Sequence, residues 1–314
     1  MMMPVAAGNA ATTGRHRRGA MNDRVERWLI ETDQLEALLN DADARRNLRI
    51  FDCSTRLAPD ANATYRVEAC REEWLEAHLP DAGFVDIQND LSKPHHSLRF
   101  TWPDEADFAA AAGRLGIDDS SRVVLYSRHH PMWATRVWWM LRAFGFENAA
   151  ILNGGIEKWS AEGRPVEAGE TGYPRGNFTA HFHPARVADR ERVLQALNGD
   201  HHAVVLNALS RDQHAGKGGA SYGRPGRIAG SVNVPAREMT DGSNHTFRPM
   251  DELRQLLAEA GADGSTPLVT YCGGGIAATV PAFVMALLGH DEVALYDNSL
   301  SEWCMDPALP METD

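Results

Sequence analysis

The sequence predicts an α/β protein of two homologous domains, each a parallel sheet with helices on both faces. Three observations predict it. The chain repeats itself, each repeat alternates apolar strands with helix-patterned stretches, and 314 residues suffice for two domains with sizeable cores.

The repeat is clearest between Val123–Trp159, "VVLYSRHHPMWATRVWWMLRAFGFENAAILNGGIEKW", and Leu268–Trp303, "LVTYCGGGIAATVPAFVMALLGHDEVALYDNSLSEW". Tyr126 falls on Tyr271, Ser127 on Cys272, Gly145 on Gly289 and Trp159 on Trp303. Each copy reads as a strand, a loop, a helix, a second strand and a turn. The helices are predicted over 134–144 and 277–288, and the strands after them over 149–152 and 293–296. Strands apolar on both faces and separated by helices belong to a covered parallel sheet. Upstream, "RIFDCSTR" at Arg49 parallels "AVVLNALSR" at Ala203, each a strand ending in Asp52 or Asn207 before a polar loop. "AHLPDAGFVDI" at Ala77 likewise parallels "GRIAGSVNV" at Gly226. Further helices are predicted over 35–39 and 251–260, the first capped by Thr32 or Asp33 with Glu36 following. The domains therefore span 22–166 and 184–314, with a Gly- and Pro-containing linker over 167–183.

Composition narrows the function. The net charge of −12 speaks against a nucleic-acid partner, while leaving room for a locally positive pocket that takes a small anion. Residues 1–21 have no long apolar core and read as a disordered extension, with Met21 an alternative start. No apolar run is long enough for a membrane span. The four cysteines, Cys53, Cys70, Cys272 and Cys304, show neither a zinc spacing nor a disulfide framework, which suggests a reducing, cytoplasmic setting.

One of the four has an unusual setting. Cys272 ends a strand and is followed by Gly273, Gly274, Gly275, Ile276 and Ala277, then a helix. Such a loop can turn its amides onto the sulfur, and the helix N-terminus adds a partial positive charge. Glycines reach the required dihedrals and leave room for a bulky sulfur adduct. Free cysteines are often simply core residues, and Cys53, Cys70 and Cys304 are read that way. Phosphate chemistry at such a loop needs C-x5-R, but the arginine position is Ala278. The histidine pairs His95–His96, His129–His130 and His201–His202 point to opposite sides of an extended chain. His181 and His183 lack a third ligand, so no metal is expected. Trp133, Trp138 and Trp139 are read as core and interface residues.

The ordered set of motifs resembles the tandem-domain rhodanese-type sulfurtransferases, the thiosulfate and 3-mercaptopyruvate sulfurtransferase family. They are "HLPDA", "RIAGSVNVP", "LRAFGFENAAILNGGIEKW", "YCGGGIAA" and "LYDNSLSEW". The resemblance runs from about residue 25 to the end. It implies two rhodanese-like domains, with Cys272 as nucleophile in the second. The first domain, with Ser127 at the matching place, would wall the site. It implies a double displacement: a small anionic donor gives its sulfane sulfur to Cys272, and a thiol or cyanide removes it, with no cofactor. A monomer is expected. Thiosulfate-preferring members carry C-R-K-G-V-T and mercaptopyruvate-preferring members C-G-S-G-V-T. The neutral "CGGGIA" leans to the second, though Gly274 replaces the serine and Ala277 the threonine. Leu209 and Gln213 stand where the family carries arginines, which leaves Arg211 and Arg224 as substrate-binding candidates, with Arg227 nearby. The competing reading is a binding or redox-sensing module that kept the fold without turnover.

Overall fold

The computed structural model describes residues 21–199 and 202–314. The predicted extension lies outside the described residues except for Met21, which belongs to a helical segment over 21–28, and His201 also lies outside them. The first half contributes β1 (Leu29–Ile30), β2 (Leu48–Asp52), the hairpin β3 (Thr55–Ala58) and β4 (Arg66–Ala69), β5 (Gly83–Phe84), β6 (Arg122–Tyr126) and β7 (Ala149–Leu152). The second half contributes β8 (Val187–Ala188), β9 (Val204–Asn207), β10 (Arg227–Ile228), β11 (Val232–Asn233), β12 (Leu268–Tyr271), β13 (Val293–Tyr296) and β14 (Met311–Glu312).

Five strands in each half form a parallel sheet. The orders are β1-β7-β6-β2-β5 and β8-β13-β12-β9-β11, the same arrangement twice. The central strands are buried along nearly their whole length, as parallel strands between helical layers must be. The outer face of each sheet packs its own apolar cluster, around Trp159 in one half and Trp303 in the other. The inner faces share one cluster, which runs from Trp28 and Phe51 through Trp138 to Phe283 and Leu295. The two repeats are therefore joined through a continuous core.

Two helices form the seam. Met132–Ala143 from the first half lies against Thr279–Leu287 from the second, with Thr135 Oγ1 and Thr279 Oγ1 2.7 Å apart and the Trp138 ring edge-on to Phe283 at 4.8 Å. Pro281 is tolerated in the first turn of its helix because that amide would have no intrahelical acceptor. The second helix starts at Thr279 rather than at Ala277, since 277 and 278 form a turn that closes the cysteine loop. The cap of the Thr32–Asn40 helix also differs from expectation. Glu31 is the cap, its amide donating to Gln34 Oε1 at 2.8 Å, because the Thr32 hydroxyl is spent on Glu162. Among the described residues, no helix is long and apolar enough to cross a membrane.

Candidate active site

Cys272 sits one residue beyond β12 and is 2% exposed. Its amide donates to Ser299 Oγ at 3.0 Å, and that hydroxyl donates to the Tyr296 carbonyl at 2.8 Å. The carbonyls of the loop are drawn outward. That of Cys272 accepts from the Leu300 amide at 3.2 Å, that of Gly273 from Ser301 N and Oγ, both at 2.8 Å, and that of Gly275 from Arg136 at 3.1 Å. Among the described residues, the amides of Gly273, Gly274, Gly275, Ile276 and Ala277 meet no protein acceptor. A run of unspent donors leading into a helix is suited to hold an anion.

The glycines are there for space as well as conformation. A Cβ on Gly273 would collide with the phenol end of Tyr222. Gly275 has φ +73° and abuts the Asp297 carbonyl. Arg136 reaches across from the first domain, fully buried, and bonds Asp297 Oδ1 at 2.5 Å, the Gly275 carbonyl at 3.1 Å and the Phe100 carbonyl at 2.5 Å. Asp297 also accepts from the Trp102 amide at 2.9 Å. The first domain thus holds the back of the cysteine loop.

The corresponding loop of the first domain is built differently. The Arg128 amide donates to Ser54 Oγ, that of His129 to Glu157 Oε1, that of His130 to the Arg128 carbonyl and that of Met132 to His130 Nδ1. Residue 131 is proline. Ser127 itself donates to the His130 carbonyl at 2.8 Å. This loop has spent its donors within the first domain.

Cys272 opens into a cavity of about 490 Å³ between the domains. Leu57, Tyr65, His130, Met132 and Trp133 wall it from the first domain, and Leu209, Tyr222, Ala236 and Ile276 from the second. Tyr65 and Tyr222 stand edge to face, 6.4 Å apart. Burial, and then the charge of Cys272, push the Tyr65 phenol up to about 12, so it stays protonated as a donor. The same two causes raise Tyr222 further. Burial drives His130 down to about 4. Its Nδ1 accepts from the Met132 amide at 3.1 Å.

Arg211 and Arg224 separate in the structure. Arg211 lines the cavity mouth, but its guanidinium is bidentate to Glu238 at 2.8 and 2.5 Å. Arg224 is not a cavity residue. It donates to the carbonyls of Leu309, Trp303 and Asp306 at 2.9, 3.0 and 2.8 Å and so ties down the C-terminal segment. Arg227 is similarly committed to Glu312 and Asp314. The cavity brings in Arg237 instead, which is exposed and has no hydrogen bond or ion pair among the described residues. His95 and His96 are not among the cavity residues, and His96 bonds within its own loop, through Leu98 and Thr101. Trp138 and Trp139 are core and interface residues, whereas Trp133 also faces the cavity. Cys53, Cys70 and Cys304 are buried and free, away from the cavity.

Comparison with known proteins decides the family. The rhodanese-like domain matches the chain twice, over residues 31–162 and 190–306. The chain belongs to the rhodanese family. Mouse 3-mercaptopyruvate sulfurtransferase is 33% identical over 287 residues, covering 89% of this chain and 92% of its own. Chicken thiosulfate sulfurtransferase is 31% identical and covers 88% and 93% respectively. The crystal structure of SseA, a 3-mercaptopyruvate sulfotransferase of Escherichia coli, superposes with a TM-score of 0.74 at 29% identity, covering 87% of this chain and 98% of its own. As a tandem rhodanese, this chain keeps the cysteine at the head of the second copy's loop. Tyr65, Tyr222, His130 and Arg237 were not legible as site residues. Tyr65 lies just before β4 of the first-domain hairpin and Tyr222 in a glycine-rich loop, and only the packed domains bring them together.

Proposed function

We propose that this rhodanese is a sulfurtransferase that carries a sulfane sulfur on Cys272. The observation that carries the reading is the run of five unspent amides that follows Cys272 at an interdomain cavity. The Cys272 thiolate attacks the terminal sulfur of the donor. With thiosulfate the S–S bond breaks and sulfite leaves with the electron pair. With 3-mercaptopyruvate the C–S bond breaks, and the electron pair passes to an enolate that takes up a proton to give pyruvate. In both, Cys272 becomes a persulfide, and a thiol or cyanide then removes the outer sulfur. The amides of residues 273–277 stabilise the anion at each stage, and the Tyr65 hydroxyl supplies a further donor.

The cavity favours the organic donor. Its walls are mainly apolar and aromatic, and its cations are Arg237 and the Glu238-bound Arg211 at the mouth, with no Lys or Arg in the loop. A monoanionic carboxylate needs one arginine, whereas a compact dianion needs more fixed charge at the sulfur. Four free cysteines fit a reducing, cytoplasmic setting, and the chain is taken to act as a monomer.

Mass spectrometry after incubation with each donor tests the reading. Wild-type protein should gain one sulfur on the peptide containing Cys272, more readily from 3-mercaptopyruvate. Cys272→Ser should gain none while melting as the wild type does. A Ser variant retaining a tenth of the transfer rate would dismiss Cys272 as the nucleophile.

A further inference from the structure

On the far side of the Ser127 loop, three side chains from separate parts of the sequence meet. His129 and Glu157 come from the first domain and His245 from the second. Each offers one ligand atom, and these atoms lie within 4.8 Å of one another. The two imidazole rings are 6.4 Å apart and nearly perpendicular, at 84°. Glu157 Oε1 already accepts from the His129 amide at 2.8 Å, which fixes the carboxylate. Its other oxygen, Oε2, is shielded from solvent and has no hydrogen-bond partner among the described residues. A shielded carboxylate oxygen without a donor is costly unless something positive faces it.

Both histidines hold left-handed backbone, φ 63° at His129 and φ 59° at His245, a conformation that non-glycine residues seldom adopt. His245 is kept there by a turn in which its amide donates to the Asp241 carbonyl at 3.0 Å. His129 and His245 are two of the six non-glycine residues with positive φ among the described residues, and each brings an imidazole to the one carboxylate.

We propose that His129, Glu157 and His245 form a binding site for a borderline divalent cation, zinc in the first instance. Two imidazoles and a carboxylate are a donor set that such ions take, with water completing the tetrahedron. Ligands about 2 Å from zinc stand roughly 3.3 Å apart, so the trio must close by about 1.5 Å. His129 is 83% exposed at its side chain and free to make that movement. The adjacent histidine pair in the sequence is not the site. His130 turns into the sulfur cavity, while the fold supplies the partners of His129 from Glu157 and His245. The ion joins the first-domain loop that walls the cavity to the 241–246 loop of the second domain, so it clamps the interface rather than taking part in sulfur transfer.

The test uses the full chain in a Cys272→Ser background, so that the reactive thiolate cannot chelate. Zinc is titrated by calorimetry, and cobalt is read by its visible absorption. The expected result is one ion per chain, with cobalt d–d bands and no near-ultraviolet thiolate charge-transfer band. The melting temperature should rise at saturation. His129→Asn and His245→Asn, which keep a residue tolerant of left-handed backbone, and Glu157→Gln should each weaken binding at least tenfold. With Cys272 intact, His245→Asn should leave metal-free sulfur transfer unchanged. Absence of zinc binding at millimolar concentration, a thiolate band, or affinity unaltered in all three variants would overturn the proposal.

Discussion

Gly274 and Gly275 are neighbours with opposite tolerances. A Cβ on Gly274 would meet the Tyr65 hydroxyl at 3.2 Å and Ser301 Oγ at 3.6 Å, both at the ends of side chains. A Cβ on Gly275 would overlap a backbone carbonyl from a residue already at φ +73°. Gly274→Ser should therefore keep turnover within about threefold. Gly275→Ala should cost roughly 1–3 kcal/mol of stability and at least tenfold in rate. Thermal melts and steady-state kinetics on the pair check the contrast. The arginines divide in a similar way. Arg211 spends its guanidinium on Glu238, while Arg237 is uncommitted. Arg237→Ala should lower donor kcat/KM by about tenfold or more, the loss of one charge-assisted hydrogen bond, and Arg211→Ala by less. Both losses should fall on the donor half-reaction, separable by single-turnover assay. An equal loss in transfer from preformed persulfide would remove these arginines from the donor site.

Among the elements, the two strand-loop-helix units give a natural control. They share a sheet position and a helix seam, yet one loop has consumed its amides and the other has kept them. Ser127→Ala should leave turnover within about twofold, since among the described residues its hydroxyl bonds only His130 and Ala134 of the same segment. Steady-state assays decide it, and a large loss would give that loop a direct part in chemistry. The strands Ala149–Leu152 and Val293–Tyr296 fall where apolar runs of β type predict them, and Cys272 was legible because three glycines follow it. Such signals are local. The three carbonyls that Arg224 bonds carry no such signal, because an arginine near the right loop looks alike in sequence whether it faces substrate or backbone. Tyr65, His130 and Arg237 carry no local mark, because their place at the cavity comes from the meeting of the two halves.

At the scale of the whole molecule, that meeting is charged as well as apolar. Asp291 takes Arg24 at 3.0 and 2.7 Å and Arg142 at 2.9 Å, both from the first half. Burial pushes its carboxyl up, but the two arginines more than offset this and hold it below the ordinary carboxylate value. A depressed carboxylate stabilises the fold above its unfolded pKa of about 3.9, and that contribution is lost as pH falls through the folded value. Asp291→Asn should lower the melting temperature by about 2 °C at neutral pH, with the gap to wild type closing below about pH 4. A gap that persisted at pH 2 would mean that the arginines are not its cause. Arg136 has a longer reach. Duplication ordinarily leaves a spare that a lineage can discard or adapt freely. Here a side chain of the first copy reaches into the second, where it pairs with Asp297 and holds the carbonyl of Gly275. Deleting the first copy would leave a buried carboxyl without its cation behind the Cys272 loop, so the fold ties the two copies together.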